Sequence, residues 1–203
     1  MLVKSSILIR SVGELCNDCL CSLLERRLKK NVRQRFPFFP NEKVLIVDDG
    51  SITAQVMKDL LVKVLGSMPI QRSDWSGRIN DVNPERVDSF AKVILPLNGD
   101  DIAGEFLAWL MKRDDLVGKS PEMESKSVPF LSCMTGAEVR AYAVARGISG
   151  GISGVVSGEV CNPNDLQKGL QELDAKYPGL THGLLKGMDA FRRSAQDSGS
   201  GFK

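Results

Sequence analysis

The chain has 203 residues, of which 42% are hydrophobic, and a formal net charge of +2. Those values exclude a wholly disordered chain, and the charge is too balanced to imply nucleic-acid binding by itself. No apolar run approaches the roughly 20 residues needed to span a bilayer, residues 5–12 form no secretory signal pattern, and five unevenly clustered cysteines do not read as a disulfide framework, so a reduced, cytoplasmic setting with no membrane partner is expected.

Residues 3–9 alternate loosely, as a short edge strand would. Cys16 and Cys19 follow at C-x-x-C spacing, with Cys21 behind them. That spacing suits a zinc knuckle or a redox pair, but a structural zinc site takes four ligands and no second close pair exists. The alternative is that Cys19 and Cys21 merely lie in or beside a helix. From about Cys19 the pattern is helical, with Leu20, Leu24 and Leu28 on one face. The other faces carry Arg26, Arg27, Lys29, Lys30, Arg33 and Arg35 against Glu25 alone. The rest of the chain is slightly acidic, so this one-signed helix is a candidate for RNA-backbone contact; a solvated face is the plainer reading. Pro37 and Pro40 stop the helix, and Phe36, Phe38 and Phe39 are expected to cover the core.

Residues 43–61 carry a strand, a polar turn and a helix. Val44 to Val47 is a buried-strand run, Asp48 to Thr53 the turn, and Val56, Leu60, Leu61 and Val64 the helix face. A turn of this kind aims backbone N–H groups and a helix N-terminus at one spot, which favours an anion. An ordinary βα unit capped by Asp49, Ser51 or Thr53 is the plainer reading. Residues 66–86 read as loop with room for a short strand. Residues 91–96 form a second buried run that leads through Asn98, Gly99, Asp100 and Asp101 into another helix. Two such units predict a doubly wound parallel α/β sheet with right-handed crossovers. Both turns then lie at the carboxyl edge of the sheet, where ligands bind.

Residues 112–126 read as a charged loop. Thr135 with Glu138 fits a capping box opening a helix to Arg146. Residues 148–158 read as a mobile Gly/Ser loop, residues 164–176 as a helix broken by Tyr177-Pro178-Gly179, residues 184–193 as a last short helix, and residues 194–203 as a disordered tail.

The order of these landmarks resembles the PP-loop ATP pyrophosphatase superfamily (adenine nucleotide alpha hydrolase-like), in the branch that thiolates uridine in tRNA. A Cys-x-x-Cys pair precedes a basic helix and then the strand, turn and helix of residues 43–61, where the family carries Ser-Gly-Gly-x-Asp-Ser. Pro96-Leu97-Asn98-Gly99-Asp100-Asp101 stands at the family's Gly-His-Asn-x-Asp-Asp. Pro129 followed by Glu138 to Ala143 is similar to its Pro-to-Glu-x-x-x-Tyr-Ala segment, and Leu173 to Gly179 to its Leu-Glu-x-Lys-Tyr-Pro-Gly. The resemblance implies a PP-loop-like core over residues 41–160, an N-terminal cysteine knuckle and basic helix over 1–40, and a C-terminal helical extension over 161–203. It implies nucleotide contacts at Asp49, Gly50, Ser51, Thr53, Asn98, Asp100 and Asp101, with ATP or AMP as ligand. Zinc at Cys16 and Cys19 and tRNA along the basic helix also follow from it.

The sequence departs from that pattern where the chemistry sits. In the first turn only Gly50 matches; Asp49, Ser51, Thr53 and Ala54 replace Ser, Gly, Asp and Ser. A carboxylate at Asp49 repels a pyrophosphate, and a lost glycine hinders close backbone approach. Leu97 replaces the histidine of the second motif, and no mid-chain cysteine pair exists to hold an iron–sulfur cluster with Cys161. The pattern is similar to the degenerate second subunits of cytoplasmic tRNA thiolation complexes, which support an intact thiolase partner. Two alternatives remain open: an active ATP-dependent tRNA sulfurtransferase with an altered loop, or a nucleotide-binding regulatory domain. An intact thiolase subunit or a second copy of the chain is the expected partner.

Overall fold

The computed structural model describes residues 6–9, 13–77, 87–111, 126–148, 165–177 and 179–199. β1 (Ser6–Ile9) and β2 (Gly13–Cys16) pair antiparallel as a small hairpin. α1 (Asn17–Arg35) follows directly, starting two residues before the helical pattern expected from Cys19, because Cys16 caps it. Then come β3 (Lys43–Asp48), α2 (Ile52–Leu65), β4 (Gln71–Ser76), β5 (Lys92–Asn98), α3 (Gly99–Met111), β6 (Ser127–Leu131) and α4 (Gly136–Arg146). α5 (Asp165–Lys176) and α6 (Leu180–Gly199) close the described chain.

The four central strands are all parallel, in the order β4-β3-β5-β6. From β3 the chain steps outward to β4; from β5 it steps the other way to β6. Right-handed crossovers then require α2 and α3 on opposite faces, which is the doubly wound arrangement. The packing agrees. Val44, Ile46, Ile94, Val128 and Phe130 point to one face, against Leu20, Leu24 and Leu28 of α1, Met57 and Leu60 of α2, and Val139 and Tyr142 of α4. Leu45, Val47, Val93 and Leu95 point to the other, as the period of two demands. Leu97 continues that second layer into the cluster of Ile102, Phe106, Leu170, Leu185 and Met188, from α3, α5 and α6.

A polar network pins the first face at the junction of α1, α2 and α4. The Tyr142 side chain is fully buried. Its hydroxyl lies 2.8 Å from Asp59 Oδ2 and 3.1 Å from Glu25 Oε1, and Lys63 Nζ donates to the phenol oxygen at 2.6 Å. Lys63 also bridges Asp59 and Glu25. Burial, with Asp59 and Glu25 alongside, holds the Tyr142 phenol far above its ordinary range. Burial also acts on Asp59, but the hydrogen bonds from Lys63 and Tyr142 outweigh it and keep that carboxyl low.

Several sequence expectations change in detail. β4 lies inside the segment read mainly as loop. α6 starts at Leu180 and runs to Gly199, into the stretch expected to be a disordered tail. Of the three phenylalanines after α1, Phe38 is buried in the core, Phe36 is half-buried and Phe39 is 61% exposed. Lys92 sits 4.9 Å from the Phe38 ring centroid and ion-pairs with Glu42 at 2.7 Å, which fixes this connection against β5. The charged loop of residues 112–126 lies outside the described residues except Lys126. The Gly/Ser loop of residues 148–158 lies outside them except Ile148.

Candidate functional site

β3 and β5 are neighbours whose following helices leave to opposite sides. The crevice at their carboxyl ends is therefore the topological switch point of the sheet, the usual ligand position in such folds. The turns after Asp48 and after Asn98 flank it, as their sequences predict.

The first turn is closed on its own side chains. Asp48 Oδ1 accepts the Gly50 N–H at 3.0 Å, and Asp49 Oδ1 accepts the Ser51 N–H at 3.0 Å. Ser51 Oγ accepts the Ala54 N–H at 3.1 Å and is the N-cap of α2. Gly50 takes the left-handed φ of +78°, which lets the chain fold back over these carboxylates. Lys58 ion-pairs with Asp48 from one helical turn further on. Burial tends to raise the Asp48 carboxyl, but the Lys58 and Gly50 hydrogen bonds overcome it and hold it below the usual range. Thr53 is half-buried in the first turn of α2. The backbone donors that a phosphate would use at Gly50, Ser51 and Ala54 are thus already taken, two of them by carboxylates.

The second turn is capped in the same manner. Asn98 Oδ1 accepts the N–H groups of Asp100 and Asp101 at 2.8 and 3.2 Å, and Asp101 Oδ2 accepts the Asn98 N–H at 2.9 Å. Asp100 points inward and is only 4% exposed. Its Oδ2 accepts the Gly136 N–H at 2.9 Å, joining the start of α3 to the start of α4. Burial raises the Asp100 carboxyl above its ordinary value, and the Gly136 bond only partly offsets this. The Thr181 hydroxyl of α6 lies beside Asp100, fully buried, without a well-formed hydrogen bond. Gly99 N–H donates to the Met134 carbonyl at 2.7 Å, so the β6–α4 turn forms the third wall of this edge.

The basic helix does not act as one surface. Arg26, Lys30 and Arg33 are exposed and recur at helical spacing; Arg26 also reaches back to the Ser22 carbonyl. Arg27 turns inward, where Nη1 donates to the fully buried Glu138 at 2.8 Å and approaches the Cys133 carbonyl at 3.4 Å. Arg35 pairs with Asp189 of α6. Lys29 is half-buried. Of the six, only Arg26, Lys30 and Arg33 are both exposed and without an ion pair among the described residues.

The cysteine pair serves the start of α1. Cys16 Sγ accepts the Cys19 N–H at 3.4 Å, Cys19 is exposed, and Cys21 faces the core, where burial pushes its thiol up. Among the described residues, no group of three or more His, Cys, Asp or Glu side chains is placed to hold a metal ion.

A groove of about 390 Å³ escaped the sequence reading. Arg27, Asn31 and Arg35 of α1, Ser132 and Cys133 of the β6–α4 turn, and His182, Leu185, Lys186 and Asp189 of α6 line it. Its residues come from three distant segments and carry no common spacing, so only the fold reveals it.

No protein-family model matches the chain, and no curated protein matches it. The parallel order, the switch-point crevice and the two capped turns define a doubly wound α/β fold. Among solved structures, the chain is similar to the U34-tRNA thiolase NcsA from Methanococcus maripaludis, described with its [4Fe-4S] cluster. The TM-score is 0.67 at 15% identity, over 91% of this chain and 84% of that one. At that identity the likeness establishes the fold. Such a cluster takes cysteine thiolates. Burial pushes the Cys133 thiol up to about 11, Cys161 lies outside the described residues, and no described cysteine belongs to a group of three or more candidate ligands. The described residues do not fit a cluster.

Proposed function

We propose that this chain is a PP-loop-like subunit of cytoplasmic tRNA uridine 2-thiolation that does not turn over ATP itself and instead helps hold tRNA and an intact thiolase partner. The observation that carries this reading is the self-satisfied turn after β3. Asp48 and Asp49 occupy the N–H groups of Gly50 and Ser51, where a pyrophosphate would need them, and their charges oppose an incoming anion. The likeness in fold to a U34-tRNA thiolase supports that branch, and the exposed face of Arg26, Lys30 and Arg33 is suited to RNA phosphates.

The test is pyrophosphate release from ATP by purified protein, with tRNA and a native partner present or absent. The chain alone is expected to release none above background. Turnover by the isolated chain that disappears on Gly50→Val would refute the reading and favour an active sulfurtransferase.

A further inference from the structure

The groove between α1, the β6–α4 turn and α6 adjoins the sheet edge without being part of the closed turn. A Cβ placed on Gly99 would lie 3.1 Å from Leu185 Cδ1, from the Ser132 carbonyl and from the Met134 carbonyl, so the groove wall and the Asn98–Asp101 turn share one layer of contacts.

Its donors are held from behind. Both contacts of Arg27, to Glu138 and to the Cys133 carbonyl, run through Nη1, so the guanidinium fork keeps further N–H donors. Asn31 Nδ2 donates to Ser132 Oγ at 3.1 Å, which fixes its amide and leaves a second N–H. Lys186 is exposed at the rim, one helical turn from His182. The anions nearby are already engaged. Glu138 Oε1 takes Arg27 and Oε2 takes the Thr135 N–H, while Asp189 takes Arg35. The protonated Cys133 thiol adds no negative charge. Arg27, Arg35 and Lys186 against Glu138 and Asp189 leave the groove with an excess of one positive charge before His182 is counted. Its volume falls within the range of small-ligand sites and admits a phosphate with its sugar.

We propose that this groove is a phosphate-binding site, separate from the β3–α2 turn, in which Arg27, Asn31 and Lys186 donate to the anion and His182 lies against it. The inference rests on the tRNA reading above only for its source, a backbone phosphate of the RNA. The groove then extends the contact made by α1 onto α6, and the strand passes beside the carboxyl edge of the sheet.

His182 is the sole histidine, so in carbon-13-labelled protein titrated with unlabelled ligands its imidazole C–H groups form an isolated reporter in the NMR spectrum of the full chain. Inorganic phosphate, AMP and tRNA are titrated in turn, into wild type and into Lys186→Ala. Lys186 is exposed and makes no ion pair or hydrogen bond among the described residues, so this substitution leaves the fold intact. The expected result is a saturable shift of the His182 signal with all three. In Lys186→Ala, tRNA affinity drops about 3- to 10-fold at low salt, and the slope of log affinity against log salt falls by about one. A shift with phosphate and AMP, but tRNA affinity indifferent to Lys186, keeps the site and rejects RNA as its source. Tight tRNA binding with a silent His182 and an unchanged slope in Lys186→Ala overturns the groove and leaves the tRNA reading standing. If no tRNA binds at all, the functional reading fails, and the phosphate titration alone decides the groove: a saturable shift supports it and a silent signal overturns it.

Discussion

The Tyr142 hydroxyl offers a clean perturbation, because Tyr142→Phe deletes one oxygen and keeps the buried ring. The phenol has one proton to give and two carboxylates within reach, at 2.8 and 3.1 Å, while Lys63 donates to its oxygen. A hydrogen bond to a charged partner contributes about 1.5–3 kcal/mol. Here Asp59 and Glu25 are 30% and 24% exposed, so water replaces part of what is lost. We therefore expect a destabilisation of about 1–2 kcal/mol, around and below the lower end of that range. For a chain of this size that corresponds to a fall in Tm of about 2–8 °C. Urea unfolding followed by circular dichroism, with an unchanged m value, measures it. The pH dependence gives a second reading. The folded phenol titrates above its ordinary value of 10.0, so its contribution is fully present below pH 10 and is lost as the pH rises past it. The loss is about 1.4 kcal/mol per pH unit, and Tyr142→Phe lacks it. The wild-type advantage should therefore shrink above pH 10. Equal urea midpoints at pH 7, or curves that diverge above pH 10, would show that the network does not hold the three helices together.

Three further outcomes follow from the site. Replacing Arg26, Lys30 and Arg33 together by Ala should weaken tRNA binding and lower the salt slope by about two to three, read by fluorescence anisotropy across salt concentrations; an unchanged slope assigns that face to solvent or to a protein partner. Asp100→Asn keeps an acceptor for the Gly136 N–H and removes a buried charge whose folded titration is raised. It should therefore unfold at higher urea than wild type at pH 7, and the gap should close as the pH falls below the ordinary 3.8, where wild-type Asp100 is protonated whether folded or not. If Cys16 and Cys19 hold zinc, they supply two of the four ligands it takes, so light scattering with metal analysis should find metal only in an assembled species, lost in Cys16→Ser/Cys19→Ser; a metal-bound monomer contradicts a shared site.

The legible parts of the chain were those where local pattern and tertiary role coincide. The apolar runs of β3 and β5, each followed by a polar turn and helical spacing, fixed the parallel core and its carboxyl edge. The Thr135 and Glu138 box marked the start of α4 because both halves of the cap lie within four residues. β4 was harder to read. Gln71-Arg-Ser-Asp-Trp-Ser76 is mostly exposed at the sheet margin, and its strand identity comes from its ladder to β3 rather than from its own residues. The division of the basic helix was also hidden, since Arg27 differs from Arg26 only through Glu138, a residue far along the chain. Asp49 read as a charge that disfavours phosphate. That it also consumes the Ser51 N–H is a matter of turn geometry, which spacing does not encode.

The strand order also governs how this chain must fold. No two neighbours in the four-stranded sheet are joined by a hairpin. Val44 pairs with Arg72 on one side and Lys92 on the other, and Ile94 pairs with Val128. Each ladder therefore closes a long loop before any ladder hydrogen bond repays the entropy, and parallel sheets of this kind fold slowly for that reason. β3 is the most exposed to the delay. It leaves the ribosome first among the four, is apolar on both faces, and cannot gain its second neighbour until the chain has passed β4 and returned. Through that interval it is an open edge, available to any other extended chain nearby.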